Sequence, residues 1–462
     1  MSALAAIVLC AGKGTRMKSE RVKVLHPLLG RPLCYYPLRA AFSVGAQPVV
    51  AVVGHQAEQV QAELRPAFEG RPLSFVVQAA QNGTADAVLA AKAALAAHRG
   101  SVLILYGDVP LLRSETLRTL VTAFESAKAP LALLTTVAPE PSGYGRVVRQ
   151  GERIQRIVED KDATEKERQL TECNAGVYVV DAAFLWAELT KLRPNNAQGE
   201  LYLTDLVAAA AALGDVPSVA VAFEECAGVN DRAELARLAR TMQQRIQSAH
   251  MRAGVTLQDP SSTWIDDDVE LSADVTLGPQ VSLHGRTRIE PGAVVEQGCI
   301  LSETRVGRDA VIQAYSVLEG AEVGALNRVG PFARLRPGTV LSENVHVGNF
   351  VEVKNTRMGS GAKANHLSYL GDAEIGAKVN VGAGTITCNY DGAHKHKTIL
   401  EDGVFVGSDT QFVAPVRVGA RSVVGAGSTV TKDVPEGSLV LSRVPQVVKA
   451  GWADRKTRPK KP

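Results

Sequence analysis

Residues 406–430 decide the fold of the C-terminal half, and they read VGSDTQFVAPVRVGARSVVGAGSTV. An apolar residue returns at every sixth position of this stretch, at Val406, Phe412, Val418, Val424 and Val430. Each hexad is expected to supply one short, flat strand whose apolar side chain points inward. A β-sandwich with accidental spacing is the alternative, and five consecutive matches in one frame argue against it.

The same period recurs from about residue 255 onward. The earlier blocks are Val269, Val275 and Val281; Ile289, Val295 and Leu301; Val306, Ile312 and Leu318; and Val323, Val329 and Leu335. Three hexads close one triangular coil, and coils stack because no single coil can bury its own apolar face. We therefore predict a left-handed parallel β-helix of hexapeptide repeats, with about nine or ten coils.

Glycine often follows the inward apolar residue in these hexads. The glycines in question are Gly307, Gly324, Gly330, Gly407, Gly419 and Gly425. Because glycine adopts positive φ angles at little steric cost, we expect these residues to turn the corners between strands.

The first 230 residues alternate short apolar runs with helical stretches. Strands are predicted over 5–10, 48–53, 73–77 and 102–106, and an Ala-rich helix over 84–98. Strands that alternate with helices indicate an α/β domain, here Rossmann-like with a mainly parallel sheet.

A single amphipathic helix is predicted over 231–253, between these two unlike halves. Asn230 or Asp231 can cap its start, and Gly254 follows its end. The predicted domains are therefore 1–230, a linker helix over 231–253, and 254–462, which ends in a basic tail.

Composition limits the classes of function that the chain can have. With 462 residues, two or three domains are expected, and the net charge of +3 indicates no nucleic-acid partner. The apolar start lacks the basic region of a signal peptide, and no run approaches the length of a membrane span, so we expect no membrane insertion. The six cysteines show no CxxC pair, which favours reduced thiols in a cytoplasmic protein.

A glycine-containing loop, LCAGKGTRM at 9–17, follows the first predicted strand. Its glycines let backbone N–H groups approach phosphates, and Lys13, Arg16 and nearby Lys23 supply positive charge. The loop is not a Walker A motif, and Met17 stands where a dinucleotide fingerprint needs a third glycine. By itself the loop is weak evidence for a nucleotide.

Asp108 strengthens that evidence because it ends the apolar run VLILYGD at 102–108. A carboxylate at the C-terminal end of a central strand lies where α/β sheets bind ligands. It could hold Mg²⁺ against a triphosphate, or it could only form a turn before Pro110.

Seven motifs in order resemble those of the sugar-1-phosphate nucleotidyltransferases. They are LCAGKGTRM with Lys23, Gly83-Thr84 after Gln78, Tyr106-Gly107-Asp108, Gly143-Tyr144-Gly145-Arg146, Glu159-Asp160-Lys161, Asn174-Ala175-Gly176 and Gly228-Val229-Asn230. With the long helix and the β-helix included, nearly the whole chain resembles a narrower family. That family is the bacterial bifunctional N-acetylglucosamine-1-phosphate uridyltransferase/glucosamine-1-phosphate acetyltransferase.

The resemblance implies a role for each motif in uridylyl transfer. Leu9, Ala11, Gly12, Gln78, Gly83, Thr84, Tyr106 and Gly107 would line the nucleotide site; Arg16 and Lys23 would neutralise phosphate; Asp108 and Asn230 would bind Mg²⁺; and Gly145, Glu159 and Asn174 would hold N-acetylglucosamine. The implied reaction is in-line attack of N-acetylglucosamine 1-phosphate on the α-phosphorus of UTP, with release of pyrophosphate. Such a reaction needs positioning and charge neutralisation more than a protein nucleophile. Cys10 departs from the family, where alanine is usual, and its thiol is expected to make the site sensitive to oxidation or alkylation.

A band of polar residues interrupts the repeat between 332 and 390. Arg336 and Lys354 stand 18 residues apart, so they should lie on the same side of adjacent coils as a phosphate clamp. A solvated basic ladder is the plainer alternative. His366 suits a general base because the ordinary pKa of histidine is about 6.5, whereas His346 and His284 are expected to be structural.

The resemblance selects His366 as the catalytic base of acetyl transfer, with Glu352 polarising it. Glucosamine 1-phosphate would be bound by Arg336, Lys354, Tyr369 and Asn380, and acetyl-CoA by Ala383, Asn389, Tyr390, Ser408, Ala426 and Arg443. Backbone N–H groups near Ser408 would hold the oxyanion. Residues 391–397 break the hexad frame and should form a protruding loop. The resemblance also implies a homotrimer with each acetyl site between subunits.

The expected function is therefore bifunctional. Acetylation of glucosamine 1-phosphate followed by uridylylation would give UDP-N-acetylglucosamine, the precursor of peptidoglycan and lipopolysaccharide. One alternative is a monofunctional nucleotidyltransferase whose β-helix only drives oligomerisation. Another is a non-enzymatic sugar-nucleotide-binding protein.

Overall fold

The computed structural model of the protein describes residues 3–12, 14–80 and 82–453. The chain divides into unit 1, up to Met242, and unit 2, from Gln243 onward. Lys13 and the basic tail at 455–462 lie outside the described residues. The long helix crosses the limit between the units, so the predicted division into three parts stays a prediction.

Unit 1 contains short strands and helices in alternation. The strands are β1 Leu4–Cys10, β2 Pro27–Leu28, β3 Arg31–Pro32, β4 Val49–Val53, β5 Leu73–Val77, β6 Ser101–Tyr106, β7 Leu131–Val137, β8 Arg146–Gln150, β9 Arg153–Val158, β10 Glu172–Asp181 and β11 Ser218–Val221. The helices are α1 Tyr35–Ser43, α2 Ala57–Leu64, α3 Thr84–Ala90, α4 Ser114–Ala127, α5 Glu165–Arg168, α6 Ala182–Leu189, α7 Asp205–Ala211 and α8 Phe223–Cys226, followed by the long α9 Arg232–Arg252. Short 3₁₀ turns cover Thr15–Met17, Lys23–Leu25 and Pro66–Phe68.

Within the described residues, the main sheet of unit 1 has nine strands and runs β11-β7-β10-β6-β1-β4-β5, with β8 and β9 beside β10. Strands β5, β4, β1 and β6 are mutually parallel, as predicted. The sheet is mixed because β10 runs antiparallel to both β6 and β7. Residues 5–8 of β1 are fully buried, so the loop after β1 starts from the rigid centre of the sheet.

The Ala-rich helix is shorter than predicted. Helix α3 ends at Ala90, whereas the sequence favoured a helix to residue 98. The N–H groups of Ala91 and Lys92 bond three residues back, to Val88 and Leu89, each at 3.0 Å. Hydrogen bonds of this spacing tighten the chain into turns that do not continue an α-helix.

The long helix α9 is confirmed within one residue at each end. Asp231 caps it, since its Oδ1 accepts from the N–H groups of Ala233 and Glu234, both at 2.9 Å. Gly254 follows the helix with φ of +97°, as a glycine at this position often does. No helix in the described part of the chain is long and apolar enough to cross a membrane, and all six thiols are free.

Unit 2 is a left-handed parallel β-helix whose three faces are parallel sheets. Within the described residues the three faces have eleven, ten and nine strands. The first face consists of Thr256–Leu257, Thr276–Leu277, Val294–Val295, Val311–Ile312, Arg328–Val329, His346–Asn349, Lys363–His366, Asn380–Val381, Phe405–Val406, Val423–Val424 and Leu439–Val440. The second face consists of Trp264–Ile265, Ser282–His284, Ile300–Ser302, Val317–Glu319, Arg334–Leu335, Glu352–Lys354, Tyr369–Gly371, Ile386–Cys388, Gln411–Val413 and Thr429–Val430. The third face consists of Glu270–Leu271, Arg288–Ile289, Arg305–Val306, Glu322–Val323, Val340–Leu341, Arg357–Met358, Ala373–Ile375, Thr398–Leu400 and Val416–Val418.

The hexad frame is confirmed by burial and by register. Val406, Phe412, Val418 and Val424 are all 0 % exposed. Val406 pairs with Val424, and Phe412 with Val430, so each partner lies three hexads further along the chain. The loop at 391–397 protrudes, closed by a bridge between Tyr390 and Lys395.

The expected role of the glycines in this frame is wrong for five of the six. Only Gly330 has a positive φ, of 110°. At Gly307 a Cβ atom would lie 2.7 Å from the carbonyl carbon of Gly324, and at Gly324 it would lie 2.6 Å from the carbonyl oxygen of Ser342. These glycines are needed because the backbone of the next coil passes too close for any side chain. The left-handed turns fall instead at residues such as Leu326.

Replacing Gly324 by alanine should therefore destabilise unit 2 by about 1–3 kcal/mol, through overpacking between coils. The urea midpoint of the β-helix transition measures the effect. Gly214→Ala is the matched control, because a carbon added there meets nothing within 4 Å. Equal midpoints for the two variants would contradict the close-approach explanation.

His284 and His346 should make the stability of unit 2 depend on pH in opposite directions. A hydrogen bond to Asp266 raises the pKa of His284, so its stabilisation is full below about pH 6.5 and is lost as the pH rises through the folded value. Burial, with the nearby charge of Lys363, lowers the pKa of His346, so stability falls as the pH drops below about 6.5.

Urea titrations at about pH 5.5 and about pH 8 test this pair. His284→Gln should cost more at the lower pH, and His346→Gln should bring relief there. The same pH trend for both variants would contradict the assignment.

Candidate active sites

A cavity of about 360 Å³ opens in unit 1 where β1 and β6 end. Nine residues that the sequence singled out line it: Leu9, Ala11, Gly12, Lys23, Gln78, Gly83, Thr84, Tyr106 and Asp108. Gln78 donates from Nε2 to Asp86 at 2.8 Å and to the carbonyl of Gly83 at 3.3 Å, which ties the end of β5 to the start of α3. The cavity is therefore walled by backbone and glycine on one side and by Lys23 on the other.

A second cavity, of about 430 Å³, shares Tyr106, Asp108 and Thr84 with the first. The predicted residues that line it are Arg16, Thr84, Tyr106, Asp108, Gly145, Glu159, Asn174 and Asn230. Since the two cavities meet at Asp108, ligands in both would approach each other there. Gly107 lines neither cavity, because it packs against β1 and its N–H donates to the carbonyl of Leu9 at 2.9 Å.

Cations and oxygen donors are paired where the two cavities meet. Lys23 Nζ donates to Asp108 Oδ2 in a short ion pair whose side chains are 13 % and 20 % exposed. Arg16 Nη2 donates to Asn230 Oδ1 at 2.9 Å. The N–H of Val229 donates to the carbonyl of Asp108 at 2.9 Å, so the loops that carry Asp108 and Asn230 are held together.

Asp108 and Asn230 offer one carboxylate and one amide oxygen to a metal. In the part of the chain that the structure describes, no three or more His, Cys, Asp or Glu residues are grouped to hold an ion. Magnesium favours oxygen ligands and is commonly held by one or two carboxylates, with water and substrate phosphates completing its shell. The donor set therefore fits a divalent cation that arrives with a phosphate ligand, and it does not fit a closed metal site.

Glu159 and Asn174 are held in place on the floor of the second cavity. Thr204 donates to Glu159 at 2.8 Å, and burial outweighs that bond and raises the pKa of Glu159. Asn174 stands at an irregularity of β10, donates to Tyr178 at 2.6 Å and accepts from the N–H of Gly176 at 3.0 Å. A side chain at position 176 would collide with the ring of Tyr106, which accounts for the glycine there.

Glu234 is a site residue that sequence reasoning missed. It lines the second cavity, and its Oε2 accepts from the N–H of Asn230 at 2.6 Å. With the Asp231 cap, this bond forms the reciprocal arrangement of a capping box. The signal was present in the sequence, as Asp231 followed three residues later by Glu234.

Cys10 is shielded from solvent, contrary to the expected sensitivity. Its residue is 1 % exposed. A hydrogen bond with Cys34, together with burial, raises the pKa of its thiol well above the usual range. A neutral, inaccessible thiol reacts slowly, so the departure from alanine is a packing change.

The predicted phosphate clamp of unit 2 forms on the second face. Leu335 pairs with Val353, which places Arg336 and Lys354 one above the other on adjacent coils. Arg336 Nη1 donates to Glu352 Oε1 at 2.9 Å, and Lys354 Nζ lies 3.8 Å from Asp372.

His366 lies at the end of a strand on the first face, directly above Asn349. Its Nδ1 is 2.9 Å from Asn349 Oδ1. An amide oxygen can only accept, so this contact places the ring proton on Nδ1 and leaves Nε2 as the basic nitrogen. The expectation that Glu352 polarises His366 is wrong here, because Glu352 pairs with Arg336 and Asn349 orients the imidazole.

Asp372 organises the end of the polar band. It is 7 % exposed and accepts from Asn355 at 2.6 Å and from Asn389 at 2.5 Å. Burial alone would raise its pKa, but these bonds and the charge of Lys354 lower it. Asn389 is thus a buried partner of Asp372, while Tyr390 is exposed and donates to the carbonyl of Gly392 at 2.6 Å.

Lys395 is a second residue that the sequence missed. It belongs to the protruding loop, and contact with the ammonium of Lys354 lowers the pKa of Lys395. The loop therefore adds a cation to the clamp. Its position depends on the bridge to Tyr390, which no motif announces.

The residues expected at acetyl-CoA form a column along later coils. The N–H of Asp409 donates to Ala383 at 2.7 Å, and that of Gly427 donates to Ser408 at 2.8 Å, so Ala383, Ser408 and Ala426 follow one another. Arg443 closes the column, with its guanidinium beside Gly425. Asn380 lies on the first face, between the positions of Lys363 and Phe405. Tyr369 stands next to Glu352 on the second face.

Two family models match parts of the chain. A MobA-like NTP transferase domain matches residues 6–175, and a GMPPB C-terminal domain matches residues 260–364. The first covers the sheet and both cavities of unit 1, and the second covers the earlier coils of unit 2.

Curated relatives match the whole length. A bifunctional protein GlmU of Anaeromyxobacter sp. (strain Fw109-5) is 55 % identical over 454 residues, which cover 98 % of this chain and 93 % of that protein. The bifunctional protein GlmU of Pelobacter propionicus is 52 % identical over 460 residues, covering 98 % and 99 %. That of Geobacter sulfurreducens is 48 % identical over 477 residues, covering 99 % of each.

These matches include both units and every residue group described above. Nucleotidyl transfer of this kind needs a divalent metal, and the oxygen donors of Asp108 and Asn230 suit one. The chain belongs to the bifunctional GlmU family and is a bifunctional transferase of acetyl and uridylyl groups.

Proposed function

We propose that unit 2 acetylates glucosamine 1-phosphate with acetyl-CoA and that unit 1 joins the product to the uridylyl group of UTP. The observation that carries this proposal is that each unit holds its own phosphate-binding cations beside its own chemistry. Unit 1 has Lys23 paired with Asp108, and unit 2 has Arg336 and Lys354 stacked near the ring of Tyr369. The product, UDP-N-acetylglucosamine, would serve peptidoglycan and lipopolysaccharide synthesis in the cytoplasm.

In acetyl transfer, His366 acts as the base. The amine of glucosamine 1-phosphate attacks the thioester carbonyl, a C–N bond forms, the C–S bond breaks, and His366 Nε2 takes the amine proton. Arg336, Lys354 and Lys395 hold the phosphate, and Tyr369 and Asn380 hold the sugar. Acetyl-CoA lies along the column of Ala383, Ser408 and Ala426, with Asn389, Tyr390 and Arg443 at its ends, and N–H groups near Ser408 stabilise the oxyanion.

In uridylyl transfer, the protein positions two anionic substrates and neutralises their charge. The residues of the first cavity hold UTP, and Gly145, Glu159 and Asn174 hold N-acetylglucosamine 1-phosphate. Arg16 and Lys23 bind phosphate oxygens. Asp108 and Asn230 hold Mg²⁺, which when bound neutralises charge on the phosphates. The fixed groups then favour in-line attack over hydrolysis because they orient the sugar phosphate.

We further propose a homotrimer, in which a neighbouring subunit covers an exposed apolar ridge. The rings of Tyr315, Phe332 and Phe350 stack at 5.3 and 5.4 Å between centroids. They are 45 %, 47 % and 56 % exposed, and Leu367 continues the ridge at 62 %. Contiguous exposed apolar surface marks an interaction site on a soluble protein. Because Leu367 adjoins His366, a subunit packed here would help to close the acetyl site.

The two activities should separate genetically at His366. His366→Ala should lower thiol release from acetyl-CoA by about 10²–10⁴-fold, the usual contribution of a general base, and leave pyrophosphate release unchanged. His346→Ala is the control and should change neither. Thiol and pyrophosphate are followed separately with glucosamine 1-phosphate, acetyl-CoA, UTP and Mg²⁺.

The same assay tests the alternative of a monofunctional nucleotidyltransferase. Pyrophosphate release from N-acetylglucosamine 1-phosphate without any thiol release by the wild type would support that alternative. Loss of both activities in His366→Ala would mean that His366 is structural.

The ridge should control assembly. Phe332→Asp should shift the mass of the protein in solution from three protomers toward one, since a buried unpaired carboxylate disfavours the interface. Thiol release should fall with it, while pyrophosphate release persists. Leu213→Asp alters an apolar residue of unit 1 that is 70 % exposed and should leave the mass unchanged. A Phe332→Asp protein that remains trimeric would exclude the ridge as the interface.

A further inference from the structure

Both oxygen donors proposed for the metal in unit 1 are engaged by the two cations proposed for the phosphates. Asp108 Oδ2 accepts from Lys23, and Asn230 Oδ1 accepts from Arg16 at 2.9 Å. We propose that these pairs make the metal and the nucleoside triphosphate bind cooperatively, because the cations leave the metal ligands only when polyphosphate oxygens accept them. This inference rests on the proposed roles of Asp108 and Asn230 in metal binding.

The backbone around the pairs is fixed, so the exchange involves side chains. The N–H of Val229 donates to Asp108, and the N–H of Asn230 donates to Glu234 at 2.6 Å. On the other side, a Cβ at Gly14 would collide with the stem of Lys23, which shows how closely the loop packs on that lysine. The ammonium and guanidinium groups can turn between two sets of oxygens while the ligands stay in place.

Metal alone is a poor ligand for this arrangement. Lys23 and Asp108 have side chains only 13 % and 20 % exposed. A divalent ion on Asp108 Oδ2 would displace the ammonium and leave two cations close together in a half-buried pocket, where water screens their repulsion poorly. A triphosphate removes that repulsion because it supplies acceptors for Lys23 and Arg16 and further ligands for the metal.

Linkage then makes the effect reciprocal. If triphosphate tightens the metal by some factor, the metal tightens triphosphate by the same factor. The part of that factor due to Lys23 should disappear when its charge is removed. A merely structural lysine, or one that only touches phosphate, would not change the affinity of the nucleotide-free protein for metal.

The test is Mn²⁺ binding to the full-length, nucleotide-free protein, followed by the loss of the free-ion electron paramagnetic resonance signal. Lys23→Met should bind Mn²⁺ at least about fivefold more tightly than the wild type, the lower end of usual coupling factors. Lys23→Arg keeps the charge and should resemble the wild type. Lys92→Met removes an exposed lysine of the same unit and controls for net charge.

Each outcome bears on a different proposal. Equal Mn²⁺ affinity for Lys23→Met and wild type, or no measurable binding by either, would overturn the cation exchange. Tightening by Lys92→Met as well would overturn it in favour of a general charge effect. If Asp108→Asn, made in the Lys23→Met background, leaves the tightened binding intact, the metal role of Asp108 itself is wrong. Retained thiol release by unit 2 shows that each variant is folded.

Discussion

The register between successive coils is the constraint on which the whole of unit 2 depends. Backbone N–H groups donate to carbonyl oxygens one coil away, as from Phe405 to Ser422 at 3.0 Å and from Val423 to Ser438 at 2.8 Å. These bonds satisfy the backbone next to an apolar interior, where an unpaired group would be costly. They also fix which side chain lies above which. His366 meets Asn349 because their strands pair in this register, and an insertion within one coil would separate every such pair beyond it.

The hexad pattern was sufficient for the architecture of unit 2 but not for its contacts. A period of six gives the inward residues and correctly stacks Arg336 on Lys354, since their coil has 18 residues. Other coils pair residues 17 apart, as Glu352 with Tyr369. A strict frame therefore misassigns neighbours, and the pairing of Glu352 with Arg336 was missed. The glycines were misjudged for a related reason, since a close approach between coils is invisible in one coil's sequence.

In unit 1 the order of motifs predicted the two cavities, whereas the pairing inside them followed only from tertiary structure. Lys23 and Asp108 are 85 positions apart, and Arg16 and Asn230 are 214 apart. No local pattern links such residues. Two alternatives left open by the sequence are now closed by geometry: Asp231 caps the long helix, which frees the Asn230 side chain to face Arg16. The Ala-rich segment shows the limit of propensity, because composition alone favours a longer helix than the chain adopts.

Both units hold their phosphate-binding cations against oxygen acceptors, and the identity of those acceptors separates the two chemistries. Cations gathered in a half-buried pocket repel one another unless counter-charges are present. In unit 2 the counter-charges, Glu352 and Asp372, have no further part in the proposed reaction, so phosphate replaces one acceptor with another. In unit 1 the acceptors are Asp108 and Asn230, which the metal itself needs. Arrival of a polyphosphate there takes up the cations and exposes the metal ligands in the same event. Coupling between polyphosphate and metal is therefore a consequence of where the lysine and arginine rest, and it belongs to unit 1 alone.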